Sequence, residues 1–460
     1  MLSSLRISHF KAWTDTKVIR LAPLTVIFGS NSAGKSSLGH LLLALKQTAI
    51  SSDRRRALHL GDANALIDLG TFSDCLHHHD TSKPLAFEIR WQLPKTLDVR
   101  DPQDRKKAWS GNDLSLSAEL RANEKTGQPE TESLKYVLRS ASGDMLDASL
   151  VRDEKNAYIL KSDKYQFVRN VGRKWPLEEP DKFYRVSDAT RARFQNADFL
   201  SDLALETESM LDRLYFLGPL REPPQRTYQW SGDTPDDVGP KGQYSIAALL
   251  AAKAQGRKLN RGPKKRQVDF DAFIAEWLKD LGIIESFSVR AVAEGRKEFE
   301  VLVRTKNDSA EVKITDVGFG VSQVLPALVE AFYCPRNSTV WMEQPEIHLH
   351  PQVQAELADA FISAIRAREN GEHRNVQLIV ESHSEHFLNR LQRRIAEGNI
   401  KPNEVAIYFC SNEAGAAELQ ELRVNLFGDI ENWPNNFFGN EMADLTARTV
   451  AAAKRRSEQE

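Results

Sequence analysis

Cysteine is scarce and scattered in this 460-residue chain. The three present, Cys75, Cys334 and Cys410, form no C-x-x-C pair, which excludes a disulfide framework and a zinc knuckle. Long apolar runs are missing as well. No stretch approaches the roughly 18 residues of a membrane helix, and the first residues lack the apolar core of a secretory signal. The expectation is a cytoplasmic protein with no membrane partner. An excess of one charge is also absent: 62 Lys and Arg stand against 64 Asp and Glu, a net charge of −2, so there is no global nucleic-acid signature. Basic triplets at Arg54-Arg55-Arg56, Lys264-Lys265-Arg266 and Lys454-Arg455-Arg456 read as solvated loops or tail. Sustained heptads and internal repeats are not found, which argues against a long coiled-coil arm. A hydrophobic content of 41% still allows a sizeable core, and the length suggests about three domains, or one large domain carrying insertions.

What the chain does contain is a phosphate cradle. Gly29-Ser30-Asn31-Ser32-Ala33-Gly34-Lys35-Ser36 reads G-x4-G-K-S and directly follows the apolar run Leu24–Phe28. Such a loop needs a buried strand before it and a helix after it. Ser37–Gln47, with leucines at 38, 41, 42 and 45, supplies the predicted helix. Gly29 and Gly34 let successive N–H groups turn toward one phosphate, and the helix N-terminus adds partial positive charge. Lys35 is expected to reach the β- and γ-phosphates, and Ser36 to offer its hydroxyl to Mg²⁺. ATP and Mg²⁺ are therefore the expected ligands, with Ser30 to Ala33 and Ser37 completing the contact segment.

Around this loop the pattern alternates between classes. Leu2–Phe10, Val18–Leu21 and Leu24–Phe28 read as strands. The run from 85 to 169 reads as an antiparallel meander, with strands at 85–91, 114–120, 134–138 and 158–161. Ser187–Leu214 reads as one helix, and Tyr215–Arg221 as a short buried strand and turn. Residues 223–263 are linker-like apart from a helical piece at 246–252. Phe270–Leu281 reads as a helix, and Phe287–Ala293 and Phe299–Arg304 as a hairpin. Helices at 321–333, 352–368 and 386–397 then alternate with strands at 339–342, 376–380 and 405–410, which predicts a largely parallel sheet.

A phosphate loop needs an acid at the end of a neighbouring strand to hold Mg²⁺. Thr339-Val340-Trp341-Met342-Glu343 ends in one, so Glu343 is the expected metal-associated carboxylate, with Ser36. The next residue, Gln344, carries a carboxamide that orients water but accepts no proton at neutral pH. Glu346 and His383, the latter in Val380-Glu381-Ser382-His383-Ser384, are the candidates to assist; His383 is also placed to sense the γ-phosphate. Gly318-Phe319-Gly320-Val321-Ser322-Gln323 opens a helix and offers a second phosphate-friendly N-terminus. His348 and His350 lack a third ligand nearby and read as structural or subunit-contact residues. His77-His78-His79 reads as surface loop. Asp429, Glu431 and Glu441 do not form a convincing nuclease acid set.

With these elements in order, the chain resembles the ATP-binding-cassette class of ATPases, and within it the RecF/SMC/OLD-like group. Gly29–Ser36 resembles Walker A, Val317–Gln323 the signature motif, Trp341–Glu343 Walker B, Glu346–Pro351 the D-loop, and His383 the switch histidine. The tail at 421–439 is similar to bacterial ATPases of this group, some of which are subunits of anti-phage systems such as Septu, PARIS and Menshen. The resemblance implies an α/β ATPase head, split by a β-meander and helical insertion: an N-terminal lobe at 1–90, insertions at 91–215 and 216–310, a C-terminal lobe at 311–412, and a terminal segment at 413–460. It implies two heads sandwiching two ATP molecules, with Gly320, Ser322 and Gln323 acting on the partner's nucleotide. Gln344 stands where the wider class has glutamate, which implies slow hydrolysis. Expected partners are a second copy and a separate effector protein such as a nuclease, with DNA a further candidate. A RecF-like repair ATPase and an OLD-type nuclease-associated ATPase remain alternatives.

Overall fold

A computed structural model describes residues 1–434, apart from 64, 103–107, 141, 144, 263, 264, 307 and 414, together with 446–452 and 455. Lys264, Lys454, Arg456, Glu441 and part of the 421–439 tail lie outside these residues. No helix among the described residues is long and apolar enough to cross a membrane.

Five apolar strands form a parallel sheet in the order Leu214–Leu217, Thr339–Glu343, Gln377–Glu381, Leu24–Gly29 and Val405–Glu413, closed by an antiparallel strand, Ala416–Leu422. Thr339–Glu343 and Gln377–Glu381 are buried at every residue, as expected of parallel strands covered on both faces. The strand before the phosphate loop lies in the middle, between strands from the far end of the chain, so the head is indeed split. Its side chains alternate: Leu24, Val26 and Phe28 pack with the helices Phe319–Tyr333, Pro351–Arg366 and Glu385–Ala396, while Ile27 faces the Lys35–Ile50 helix and the second sheet.

That second sheet is antiparallel. Trp13–Asp15, Leu2–Phe10, Leu85–Arg100, Ala108–Ala122, Pro129–Arg139, Met145–Arg152 and Tyr158–Lys161 follow one another, with Ile19–Arg20 beside Leu2–Phe10. The meander is present but larger than expected. Leu85–Arg100 is continuous across residue 90 and pairs with Leu2–Phe10, so the boundary placed at 90 cuts a strand. Met145–Arg152 is a further strand that the expected set lacks, although Leu146, Ala148 and Leu150 alternate with Asp147 and Ser149 as a strand requires. Both are buried, and Asp147 accepts from Ser162 Oγ at 3.0 Å and Asp163 N at 3.0 Å.

The single helix expected at 187–214 is two, Asp188–Arg191 and Phe199–Asp212. Asn196 explains the break. Its Oδ1 accepts from Val168 N at 2.9 Å and its Nδ2 donates to Gln166 O at 2.8 Å, tying the chain to another segment where a helix would continue. The histidine triplet also departs from a plain surface loop. His77 is buried, its ring meeting Lys11 O at 2.8 Å and Thr14 Oγ1 at 3.1 Å. All three cysteines are free and buried.

Glu330 lies fully buried in the Phe319–Tyr333 helix. One carboxyl oxygen accepts from Val238 N at 2.9 Å, and the other has no partner among the described residues. Burial, with Asp237 nearby, pushes its carboxyl up to about 8. The fold thus favours the neutral acid. The stability this contributes is complete below the ordinary carboxyl range and is lost as pH rises toward about 8. Wild-type stability, measured by urea denaturation, should therefore decline relative to Glu330→Gln between pH 5 and pH 8. Parallel curves would contradict this.

Candidate nucleotide site

The C-terminal edge of the parallel sheet gathers the polar residues of the site, as open parallel sheets do. The loop leaves its strand at Gly29, whose φ of 147° lies outside the range of ordinary side chains; a Cβ there would run into the Cys410 carbonyl oxygen. Ser32 and Gly34 are also left-handed, with φ of 61° and 100°. Gly34 caps the Lys35–Ile50 helix without a side-chain hydrogen bond, and no acid sits in the first turn. The first helical N–H groups are thereby left to an anion. Ser30, Asn31 and Ser32 are exposed and Ala33 is buried.

Lys35 is folded back on its own loop. Nζ donates to Gly29 O at 2.9 Å and Ser30 O at 2.7 Å, and the residue is buried. Burial lowers its ammonium from the usual range, opposed by attraction from Glu381, Cys410, Glu346 and Glu343. Ser37 has a structural role: its hydroxyl donates to Gly34 O at 2.5 Å and accepts from Trp13 Nε1 at 2.8 Å.

Glu343 ends its strand where expected, buried, with His40 Nε2 3.4 Å from Oε1. The Ser36 hydroxyl, however, meets a different acid. It donates to Glu381 Oε2 at 2.7 Å, and Trp341 Nε1 donates to Glu381 Oε1 at 2.8 Å. Glu343 and Glu381 face each other in the parallel register. Burial, then repulsion from Glu343, pushes the Glu381 carboxyl up to about 8. Glu381 and His40 were not singled out from the sequence, and Trp341 entered only as part of the acid-ended strand. The signal available for Glu381 was its place, one residue beyond an apolar strand that also leads to His383. Gly39 leaves room for the Trp341 ring, since a Cβ would lie 2.5 Å from Cε2.

Gln344 takes a left-handed turn, φ 45°, and its N–H donates to Glu381 O at 2.9 Å. Glu346 is buried. Its Oε1 accepts from Ser382 Oγ at 2.8 Å and from His383 N at 2.7 Å, while Oε2 has no partner among the described residues. Burial raises the Glu346 carboxyl, partly offset by these donors and by Arg221. His383 Nε2 is likewise unpartnered, and burial, then Lys35, lowers its imidazole below the usual range, so it is neutral at neutral pH. His350 caps the Pro351–Arg366 helix, its Nδ1 accepting from Gln352 N at 3.3 Å, which is a structural role.

The second helix N-terminus is that of Phe319–Tyr333. Gly318 caps Phe319–Tyr333 with no side-chain hydrogen bond and no acid in the first turn. Gly320 is half-buried, whereas Ser322 and Gln323 are buried, Ser322 against a small pocket that Glu222, Tyr228 and Pro326 also line. Among the described residues no three His, Cys, Asp or Glu side chains converge as a metal cage.

A family profile described as "AAA domain, putative AbiEii toxin, Type IV TA system" matches residues 24–389. A second, for a protein of unknown function (DUF3696), matches residues 400–447. No curated protein matches the chain. Among solved structures, an SMC head bound to the C-winged helix domain of ScpA shares 13% identity over 92% of this chain and 98% of that one, with a TM-score of 0.41. The SMC head domain from Thermotoga maritima shares 11% over 92% and 99%, with a TM-score of 0.38. Both likenesses are distant, and the chemistry of the site rests on the contacts above.

Proposed function

The chain belongs to the AAA-domain family described as putative AbiEii toxin, Type IV TA system, and from that premise we propose that it is an ATP-gated switch of the ABC class that hydrolyses ATP slowly. The observation that carries this reading is the convergence of Lys35, Ser36, Glu343, Gln344, Glu346 and His383 at one sheet edge, with a carboxamide at 344.

Lys35 exchanges its two loop carbonyls for phosphate oxygens, and the uncapped helix N-terminus holds the rest of the phosphate. The donors beside it suit Mg²⁺. The Ser36 hydroxyl and the Glu343 carboxylate are hard oxygen donors of the kind this ion takes, and they would hold it beside the phosphates. When bound, it neutralises charge on the β- and γ-phosphate oxygens. Neutral His383 offers its free Nε2 to the γ-phosphate. Gln344 orients the attacking water without taking its proton. Glu346, with one oxygen fixed and Oε2 free, is the carboxylate left to accept that proton.

A two-headed dimer completes the site in this reading. The open N-terminus at Gly318 and Gly320 contacts the partner's nucleotide, with Ser322 and Gln323 packed behind it. ATP binding closes the pair and hydrolysis opens it. We place the protein in the cytoplasm as sensor or regulator subunit of a bacterial anti-phage system acting on a separate effector protein, a role compatible with the toxin–antitoxin wording of the family. Phosphate release tests the enzymatic part. The wild type should turn over below about 1 s⁻¹, the low end of enzyme rates, and Lys35→Ala should fall to background. Equal release by both proteins would overturn the reading.

A further inference from the structure

One cation at the catalytic edge has no part in the reading so far. Arg221 follows the Leu214–Leu217 strand, the neighbour of Thr339–Glu343. Its segment is pinned on both sides: Gly218 N donates to Pro240 O at 2.8 Å, and Glu222 N to Lys241 O at 2.9 Å. The side chain is only 8% exposed. Nη2 donates to the Glu343 backbone carbonyl at 3.3 Å. Nε and Nη1 are buried with no partner among the described residues. Dry, unpaired guanidinium N–H groups are costly to keep, and burial pulls this guanidinium down to about 10 against attraction from Glu343 and Glu346.

The complementary atoms lie in the same cluster. Glu343 Oε1 accepts no hydrogen bond, its contact with His40 being an ion-pair approach only, and Glu346 Oε2 is also unpartnered. Lys35 attracts the same two carboxylates from the loop. Two carboxylates, each with an oxygen to spare, thus attract both Lys35 and Arg221, and neither cation forms an ion pair with them among the described residues.

We propose that Arg221 is a positioning residue for ATP hydrolysis: once nucleotide is bound, its two spare N–H groups take up the neighbouring Glu346 carboxylate and turn Oε2 toward the attacking water. This rests on the ATPase reading above. In the step it serves, the water oxygen bonds to the γ-phosphorus. The bond from that phosphorus to the β,γ-bridging oxygen breaks, the electron pair leaves on ADP, and a water proton passes to Glu346 Oε2.

The test is steady-state phosphate release by the full chain. Arg221→Ala should lower kcat on the order of 100-fold while KM for ATP changes little, because the group orients the reaction more than it binds the ground state. Arg221→Lys should recover part of the loss. Added guanidinium ion, below denaturing concentration, should restore Arg221→Ala along a saturating curve, which a merely structural role would not allow. Combining Arg221→Ala with Glu346→Gln should lose little beyond Glu346→Gln alone, since residues acting through one another are not additive. If Arg221→Ala does not fold, Arg221→Lys and Arg221→Gln carry the same comparison. Wild-type protein without phosphate release would overturn the ATPase reading and this inference together. Wild-type turnover with an unchanged kcat in the Arg221 variants, or with fully additive losses, would overturn this inference alone.

Discussion

Gln344→Glu should raise ATP turnover roughly 10- to 100-fold, somewhat below the 10²–10⁴ that a positioned general base contributes, because Glu346 already serves in part. The substitution is nearly isosteric. The backbone at 344 is fixed by its left-handed turn and by the N–H donated to Glu381 O, so the new carboxylate takes the place of the carboxamide beside the attacking water. It also becomes a fourth acid among Glu343, Glu346 and Glu381. Like charges in a buried cluster repel, and the nucleotide-free protein should lose stability as turnover rises. Multiple-turnover phosphate release at saturating ATP reads the first effect and urea denaturation the second. An unchanged or slower rate would mean that proton transfer does not limit the wild type.

Gly29→Ala is the second large effect, and its cause is steric. A Cβ at φ 147° is strained wherever it occurs. Here it would also meet the Cys410 carbonyl, which is backbone in the neighbouring strand and paired in register with Gly29. That carbonyl can retreat only if the parallel ladder opens at the centre of the sheet. Strain and overpacking each cost about 1–3 kcal/mol, so a loss of roughly 3 kcal/mol or more is expected, with the loop carbonyls that hold Lys35 displaced. Affinity for ATP should fall roughly 10- to 100-fold, since losing a hydrogen bond to a charged group costs about 1.5–3 kcal/mol. Urea denaturation and titration with a fluorescent ATP analogue measure the two. Near-wild-type values in both would contradict the geometry.

Much of this site was legible because its motifs are local. The loop, the acid-ended strand at 339–343 and the histidine after the strand at 377–381 each show in a few consecutive residues, and the alternation of strands and helices around them predicted the parallel sheet. What escaped depends on contacts distant in sequence. Glu381 matters because Ser36 and Trp341 reach it from two other elements. Arg221 ends the stretch read as a short buried strand and turn, but what it faces is set by the strand beside it. The burial of Ser322 was equally invisible, since a serine near a glycine-rich helix start gives no sign of what packs over it. At 187–214, buried Asn196 overrode local pattern through hydrogen bonds made elsewhere.

In the proposed cycle ATP holds two heads together. Light scattering on the wild type with ATP and Mg²⁺, with ADP and Mg²⁺, and without nucleotide tests it most directly. A doubling of mass, or a larger assembly, that ATP induces or stabilises is expected; it decays slowly as phosphate appears and is absent in Lys35→Ala. A particle whose mass is the same in all three conditions, turning over ATP rapidly as a monomer, would contradict it.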